Sequence, residues 1–187
     1  MRIQGGGSDT QLNQTGKKQA ESLALRLKAE PIQAIYSSPL QRALDTAQAV
    51  ARYHQAEVEI EPALKEIDAA ELEGVPIDQI GSHFSQLLTK GEENSSFFER
   101  YGGESLTQVR QRSWSIIQRL VNQHPDEVIV VVSHYFVLLT IICSVLNLPL
   151  SQLGRLRVVP GSISTIVFDE GIMRLVLLND SCHLTNI

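Results

Sequence analysis

Val128-Ile129-Val130-Val131-Val132-Ser133-His134 is the stretch that decides the fold class. Five β-branched residues in succession are the pattern of a strand buried on both faces of a sheet. The apolar run from Tyr135 to Leu146 follows at once and reads as a buried helix. On the other side, Ser105 to Gln123 carries Leu106, Val109, Trp114, Ile117 and Leu120 at helical spacing and is stopped by Pro125. A helix, an all-apolar strand and a second helix predict an α/β protein. The expected architecture is a three-layer sandwich with a mainly parallel central sheet flanked by helices.

The remainder of the chain extends this pattern. Asn13 to Lys28 is an amphipathic helix with Ala20, Leu23, Ala24 and Leu27 on one side, and Pro31 separates it from an apolar strand, Ile32 to Tyr36. Ser37-Ser38-Pro39 is expected to start the next helix, a hydroxyl cap ahead of a first-turn proline, and that helix runs to about Tyr53. Glu57 to Ile60 is a short strand. Glu66 to Tyr101 is irregular, with one or two short helices expected near Ile77 to Leu88, and long excursions of this kind often form lids or substrate loops. Ser162 to Phe168 and Met173 to Leu178 form a hairpin turning at Asp169-Glu170-Gly171. At 187 residues the expectation is one domain over residues 1–187.

Composition narrows the function. A net charge of −5 without a cluster of lysine or arginine argues against nucleic acid and anionic lipid as partners. The longest apolar run, Phe136 to Cys143, falls short of the roughly 20 residues of a membrane span. Met1 to Gly7 has no apolar stretch that would serve as a secretion signal, so a cytoplasmic protein is expected. Cys143 and Cys182 lie far apart and suggest neither a zinc site nor a disulfide framework. The apolar helix after His134 is accounted for by the core, which leaves the oligomeric state open.

Two strand ends carry residues suited to chemistry. Arg42 lies in the first turn of a helix, where a guanidinium beside free backbone N–H groups would hold an oxyanion. On spacing alone, an exposed arginine paired with an acid is the better account of it. His134 ends the apolar strand and serves equally well as a core histidine bonded to a carbonyl. Glu66, Asp68, Glu71 and Glu73 read as a solvated acidic loop face. Gly102-Gly103-Glu104-Ser105 reads as a turn and helix cap.

Their order along the chain is more telling. Ser-Ser-Pro-Leu-x-Arg-Ala-x-x-Thr-Ala at 37–47 is followed by Leu-x-Glu at 64–66 and Glu-x-Glu-Gly at 71–74. Gly-Gly-Glu-Ser at 102–105, Val-Val-Ser-His at 131–134 and Gly-Ser-Ile-Ser at 161–164 complete the series. Gln4-Gly5, Asp9, Leu12, Gly16 and Gln19-Ala20 fit the segment that opens it. The whole series resembles the phosphoglycerate-mutase-like histidine phosphatases.

That resemblance implies a phosphomonoesterase for a small phosphorylated metabolite, less readily a phosphomutase, working through a phosphohistidine with no metal or organic cofactor. Arg42 would bind the phosphoryl oxygens, His134 would be the second histidine of the pocket and Glu66 the proton donor. Ser133 and Ser162 would be structural. The family's first motif, Arg-His-Gly at the end of a central strand, is absent from residues 1–187, so this chain is expected to lack the nucleophile and that strand. His54, His83, His124 and His183 are expected to be exposed structural residues rather than replacements. Tyr135 stands where the family usually has glycine, and Glu71-Leu72-Glu73 lacks the usual intervening aromatic. These departures leave a catalytically inactive phosphate-binding or regulatory protein as the alternative.

Overall fold

The computed structural model describes residues 2–80, 96–169, 171–185 and 187. Helix α1 (Gln14–Leu27) begins where the Asn13 side chain accepts the Gly16 N–H at 2.8 Å. Strand β1 (Ile32–Ser37) and helix α2 (Gln41–Ala51) follow, then strand β2 (Val58–Ile60). A single helical turn, α3 (Ile77–Ile80), leads toward residues 81–95, so His83 and most of the helices expected near Ile77 to Leu88 lie outside the described residues. Helix α4 (Leu106–Gln123), strand β3 (Val128–Val132) and helix α5 (Tyr135–Val145) then reproduce the sequence pattern almost residue for residue. Strands β4 (Ile163–Asp169) and β5 (Ile172–Asp180) form the expected antiparallel hairpin.

β1 is the centre of a parallel sheet in the order β2-β1-β3, with Ser37 level with Val132. Strand alternation sends successive side chains to opposite faces. Ile35, Val130 and Val132 meet Ala20, Leu23, Ala47 and Val50 of α1 and α2. Ala34, Tyr36, Ile129 and Val131 meet Val109, Leu120, Val137 and Leu139 of α4 and α5. The result is an α/β fold with helices on both faces of a parallel sheet. A full capping box at Ser105 and Gln108 starts α4, and the fully buried hydroxyls of Ser113 and Thr140 pair at 3.2 Å between α4 and α5. Among the described residues, no helix is long and apolar enough to cross a membrane.

Two expectations need correction. α2 starts at Gln41 and has no side-chain cap of its own; the Ser38 hydroxyl accepts the Leu40 N–H instead, and the Asp9 carboxylate accepts the Gln41 N–H at 2.6 Å. β3 is not buried on both faces, for Val128 is 42% exposed and the rest of the strand only half-buried. The reason is topological. Among the described residues β3 pairs with β1 alone, and no strand bridges it to the β4–β5 hairpin. The hairpin shares the condition, with Val167, Phe168, Ile172 and Val176 between 42% and 57% exposed.

Candidate active site

The parallel register sets the carboxyl ends of β1 and β3 side by side, and the Ser38 N–H donates to the Val132 carbonyl at 3.0 Å. In open α/β sheets this is the edge where ligands bind. His134 occupies the cap position of α5, with Nε2 2.7 Å from the Ser38 hydroxyl. Arg42, in the first turn of α2, donates to the Ser8 carbonyl at 2.6 Å and the Gly5 carbonyl at 3.1 Å. Glu66 is 5% exposed, and its carboxyl accepts the Ile67 N–H at 2.8 Å and the Phe136 N–H at 3.3 Å. The three residues singled out in the sequence therefore meet, close enough for the charge of Arg42 to act on both Glu66 and His134.

A fourth group joins them. Arg112 of α4 also acts on Glu66 and His134, and is held by a two-pronged pair with Glu104 at 2.7 and 2.9 Å plus the Ala63 carbonyl at 2.6 Å. Sequence reasoning missed it. Its one signal was a cation eight residues, about two helical turns, beyond the acid of the Gly-Gly-Glu-Ser turn.

The electrostatics suit acid–base work. Burial raises the Glu66 pKa to about 7, against the pull of its two N–H donors, Arg42 and Arg112. Burial, then Arg42 and Arg112, lowers His134 to about 3, so its imidazole is neutral at neutral pH. Burial also lowers the pKa of Arg42, opposed by Glu66, Asp9 and Glu73, yet a guanidinium stays cationic. The site thus offers a carboxyl near half-protonation beside a fixed positive charge.

The acids after Leu64 are not a uniform solvated face. Glu73 accepts the Gly5 N–H (3.0 Å), the Gly7 N–H (2.8 Å) and the Ser8 hydroxyl (2.5 Å), and so holds the carbonyls that orient Arg42. The glycine turn is equally constrained. Gly103 donates to the Phe98 carbonyl while the next N–H reaches the Asp68 carbonyl, both at 2.9 Å. A Cβ on Gly103 would lie 2.3 Å from the Asp68 carbonyl oxygen and 3.1 Å from that of Phe98. Gly103→Ala is therefore expected to cost about 2–4 kcal/mol in urea unfolding, through backbone overlap that no rotamer relieves. A loss under about 0.5 kcal/mol would show that the turn yields freely.

Among the described residues, His54, His124 and His183 are less exposed than expected. His124 bonds the Tyr36 hydroxyl at 2.8 Å and Glu127 at 2.6 Å; His183 bonds the Gly161 carbonyl at 2.8 Å; His54 is half-buried.

A buried carboxyl, a neutral imidazole and an arginine thus stand at the carboxyl ends of the parallel strands of an α/β protein. The family described as the histidine phosphatase superfamily (branch 1) matches residues 1–181, and the chain belongs to it. It is 32% identical over 176 residues to phosphoserine phosphatase 1 of Hydrogenobacter thermophilus, covering 94% of this chain and 83% of the relative. It is 31% identical over 169 residues to the probable phosphoglycerate mutase GpmB of Photorhabdus laumondii, covering 90% and 78%. The phosphoserine phosphatase of Entamoeba histolytica, solved with 3-phosphoglyceric acid, superposes with a TM-score of 0.86 at 29% identity over 98% of this chain and 90% of that one.

Proposed function

We propose that this fold hydrolyses small phosphomonoesters through a phosphohistidine, the nucleophile being supplied by a strand ahead of Arg2 that seats between β3 and β4. The observation that carries the reading is the buried Glu66, with a pKa of about 7, beside Arg42 and His134. A histidine nitrogen attacks phosphorus, the ester P–O bond breaks, and Glu66 gives its proton to the departing alkoxide. Glu66, now a carboxylate, takes a proton from the water that attacks the phosphohistidine, and phosphate leaves. Arg42, with His134 beside it, holds the equatorial oxygens as charge spreads over them. A short segment between Glu66 and Gly102 favours a phosphatase over a dedicated mutase.

The open edge of β3 supports the place of the strand. A strand parallel to β3 would end beside His134, where the family carries Arg-His-Gly. Tyr135, standing directly after His134 where the family usually has glycine, favours a second reading, a phosphate-binding protein without turnover.

The test is hydrolysis of p-nitrophenyl phosphate by a chain extended ahead of Met1 with the family's strand and Arg-His-Gly turn. Turnover that drops at least about 10³-fold when that histidine becomes asparagine is the expected result. Phosphate binding that needs Arg42, without turnover, would establish the second reading. Neither binding nor turnover would dismiss both.

A further inference from the structure

The segment Gly5-Gly6-Gly7-Ser8 lies between two opposite charges. On one side the Glu73 carboxylate accepts the Gly5 N–H at 3.0 Å and the Ser8 hydroxyl at 2.5 Å on Oε2, and the Gly7 N–H at 2.8 Å on Oε1. On the other side the Gly5 and Ser8 carbonyls accept the two Nη groups of Arg42, at 3.1 and 2.6 Å. The Gly6 N–H donates to the Ile67 carbonyl at 2.7 Å, one residue after Glu66. Every residue of the segment is therefore tied down. A Cβ on Gly5 would lie 2.4 Å from Glu73 Oε1 and 2.7 Å from the Ile67 carbonyl oxygen, and one on Gly6 would lie 2.7 Å from the Glu66 carbonyl oxygen. Only glycine lets the backbone come this close to the carboxylate and to the Glu66 strand of chain. Glu71, the other acid of the Glu-x-Glu-Gly motif, is exposed.

We propose that Glu73 is a positioning residue: by holding residues 5–8 it fixes the direction in which Arg42 presents its free N–H groups, and so sets how tightly the site binds a phosphoryl group. The inference rests on Arg42 binding phosphate, and holds whether or not turnover follows. A guanidinium carries five donors in a rigid plane, and it grips an oxyanion with two prongs only when that plane is aimed. Two Nη donors are engaged by the Gly5 and Ser8 carbonyls, so these carbonyls set the plane and leave the other donors for the anion. Without the carboxylate, the Gly5 and Gly7 amides lose their acceptor, the carbonyls shift with them, and Arg42 loses its seat.

The test is a double-mutant cycle on the 187-residue chain, read by titration calorimetry with inorganic phosphate. Glu73→Gln keeps the size of the side chain but has one acceptor oxygen for two amides, and is expected to weaken phosphate about tenfold. Arg42→Lys keeps the charge without the planar fork and is expected to cost about as much. In the Arg42→Lys background Glu73→Gln should cost less than about twofold, because the aim of a fork no longer matters. Additive losses overturn the proposal. Should Glu73→Gln fail to fold, Ser8→Ala removes one donor and leaves the backbone bonds; a loss of about threefold that vanishes beside Arg42→Lys is expected, and no loss overturns it. If no chain binds phosphate, the phosphoryl-site reading fails by itself, and the nuclear magnetic resonance of the Arg42 guanidinium decides this one. Separate Nη signals, from slow rotation, are expected in the parent and merged signals in Glu73→Gln, whereas the same pattern in both overturns it.

Discussion

Glu66→Gln is expected to lower kcat on alkyl phosphates by about 10²–10⁴-fold in the chain that carries the nucleophilic histidine. An alkoxide is a poor leaving group unless a proton reaches it in the transition state, and the buried Glu66 carboxyl, with its raised pKa, is the donor proposed above. p-Nitrophenolate leaves without protonation, so the same variant is expected to lose less than about tenfold in the phosphorylation step with that ester. Single-turnover rates on the two esters make the comparison. Equal losses on both would mean that Glu66 positions the substrate and donates nothing. The pH profile is a second readout: protonated Glu66 is required, so kcat/KM on alkyl esters holds below pH 7 and declines above it. The glutamine variant lacks that limb.

The same carboxyl leaves a mark on stability, and its sign can be worked out. Its pKa rises from 4.5 to about 7 on folding, so between those values the native state binds more protons than the unfolded chain. Stability therefore falls as pH rises through that window, by at most about 3 kcal/mol. His134, lowered from 6.5 to about 3, acts oppositely, and its contribution is lost as pH falls from 6.5 toward 3. A buried glutamine removes the first effect but turns an N–H toward the Phe136 N–H, forfeiting about 1 kcal/mol. The variant should thus gain about 2 kcal/mol over the parent at pH 8 and gain nothing at pH 4.5.

What was legible in the sequence is what periodicity and strand ends encode. α4, β3 and α5 follow from apolar spacing, and Arg42 and His134 follow from where the elements that bear them begin and end. Arg112 and Glu73 were not legible, because each is defined by contacts that the fold creates. Glu73 serves the amides of Gly5 and Gly7, 68 and 66 residues away, so its neighbours in sequence suggested only a solvated loop. Arg112 looks like any cation on the polar face of a helix until Glu104 and the Ala63 carbonyl fix it. The burial of β3 was misjudged for the same reason. A run of valines declares a preference for burial, but the strands on either side decide whether the fold satisfies it.

Seating the histidine strand is expected to slow hydrogen exchange at the β3 amides that β1 does not bond by at least about 10³-fold relative to the 187-residue chain. Parallel strands send alternate backbone groups to either side, so a strand with one partner leaves half of its amides without a ladder bond. With β1 as its sole strand partner among the described residues, β3 has a second, unpaired edge, and the separate β4–β5 hairpin carries exposed Val167 and Phe168. A strand between them would pair with both edges and join two separate sheets into one. The added burial and hydrogen bonds should also raise Tm by more than about 10 °C. If exchange at Val128–Val132 were unchanged in the extended chain, the strand would be seated elsewhere, and its histidine could not meet Arg42, Glu66 and His134. Protection of β3 and turnover of phosphate esters should therefore appear together, since the backbone pairing that closes the sheet also carries the nucleophile to the phosphoryl site.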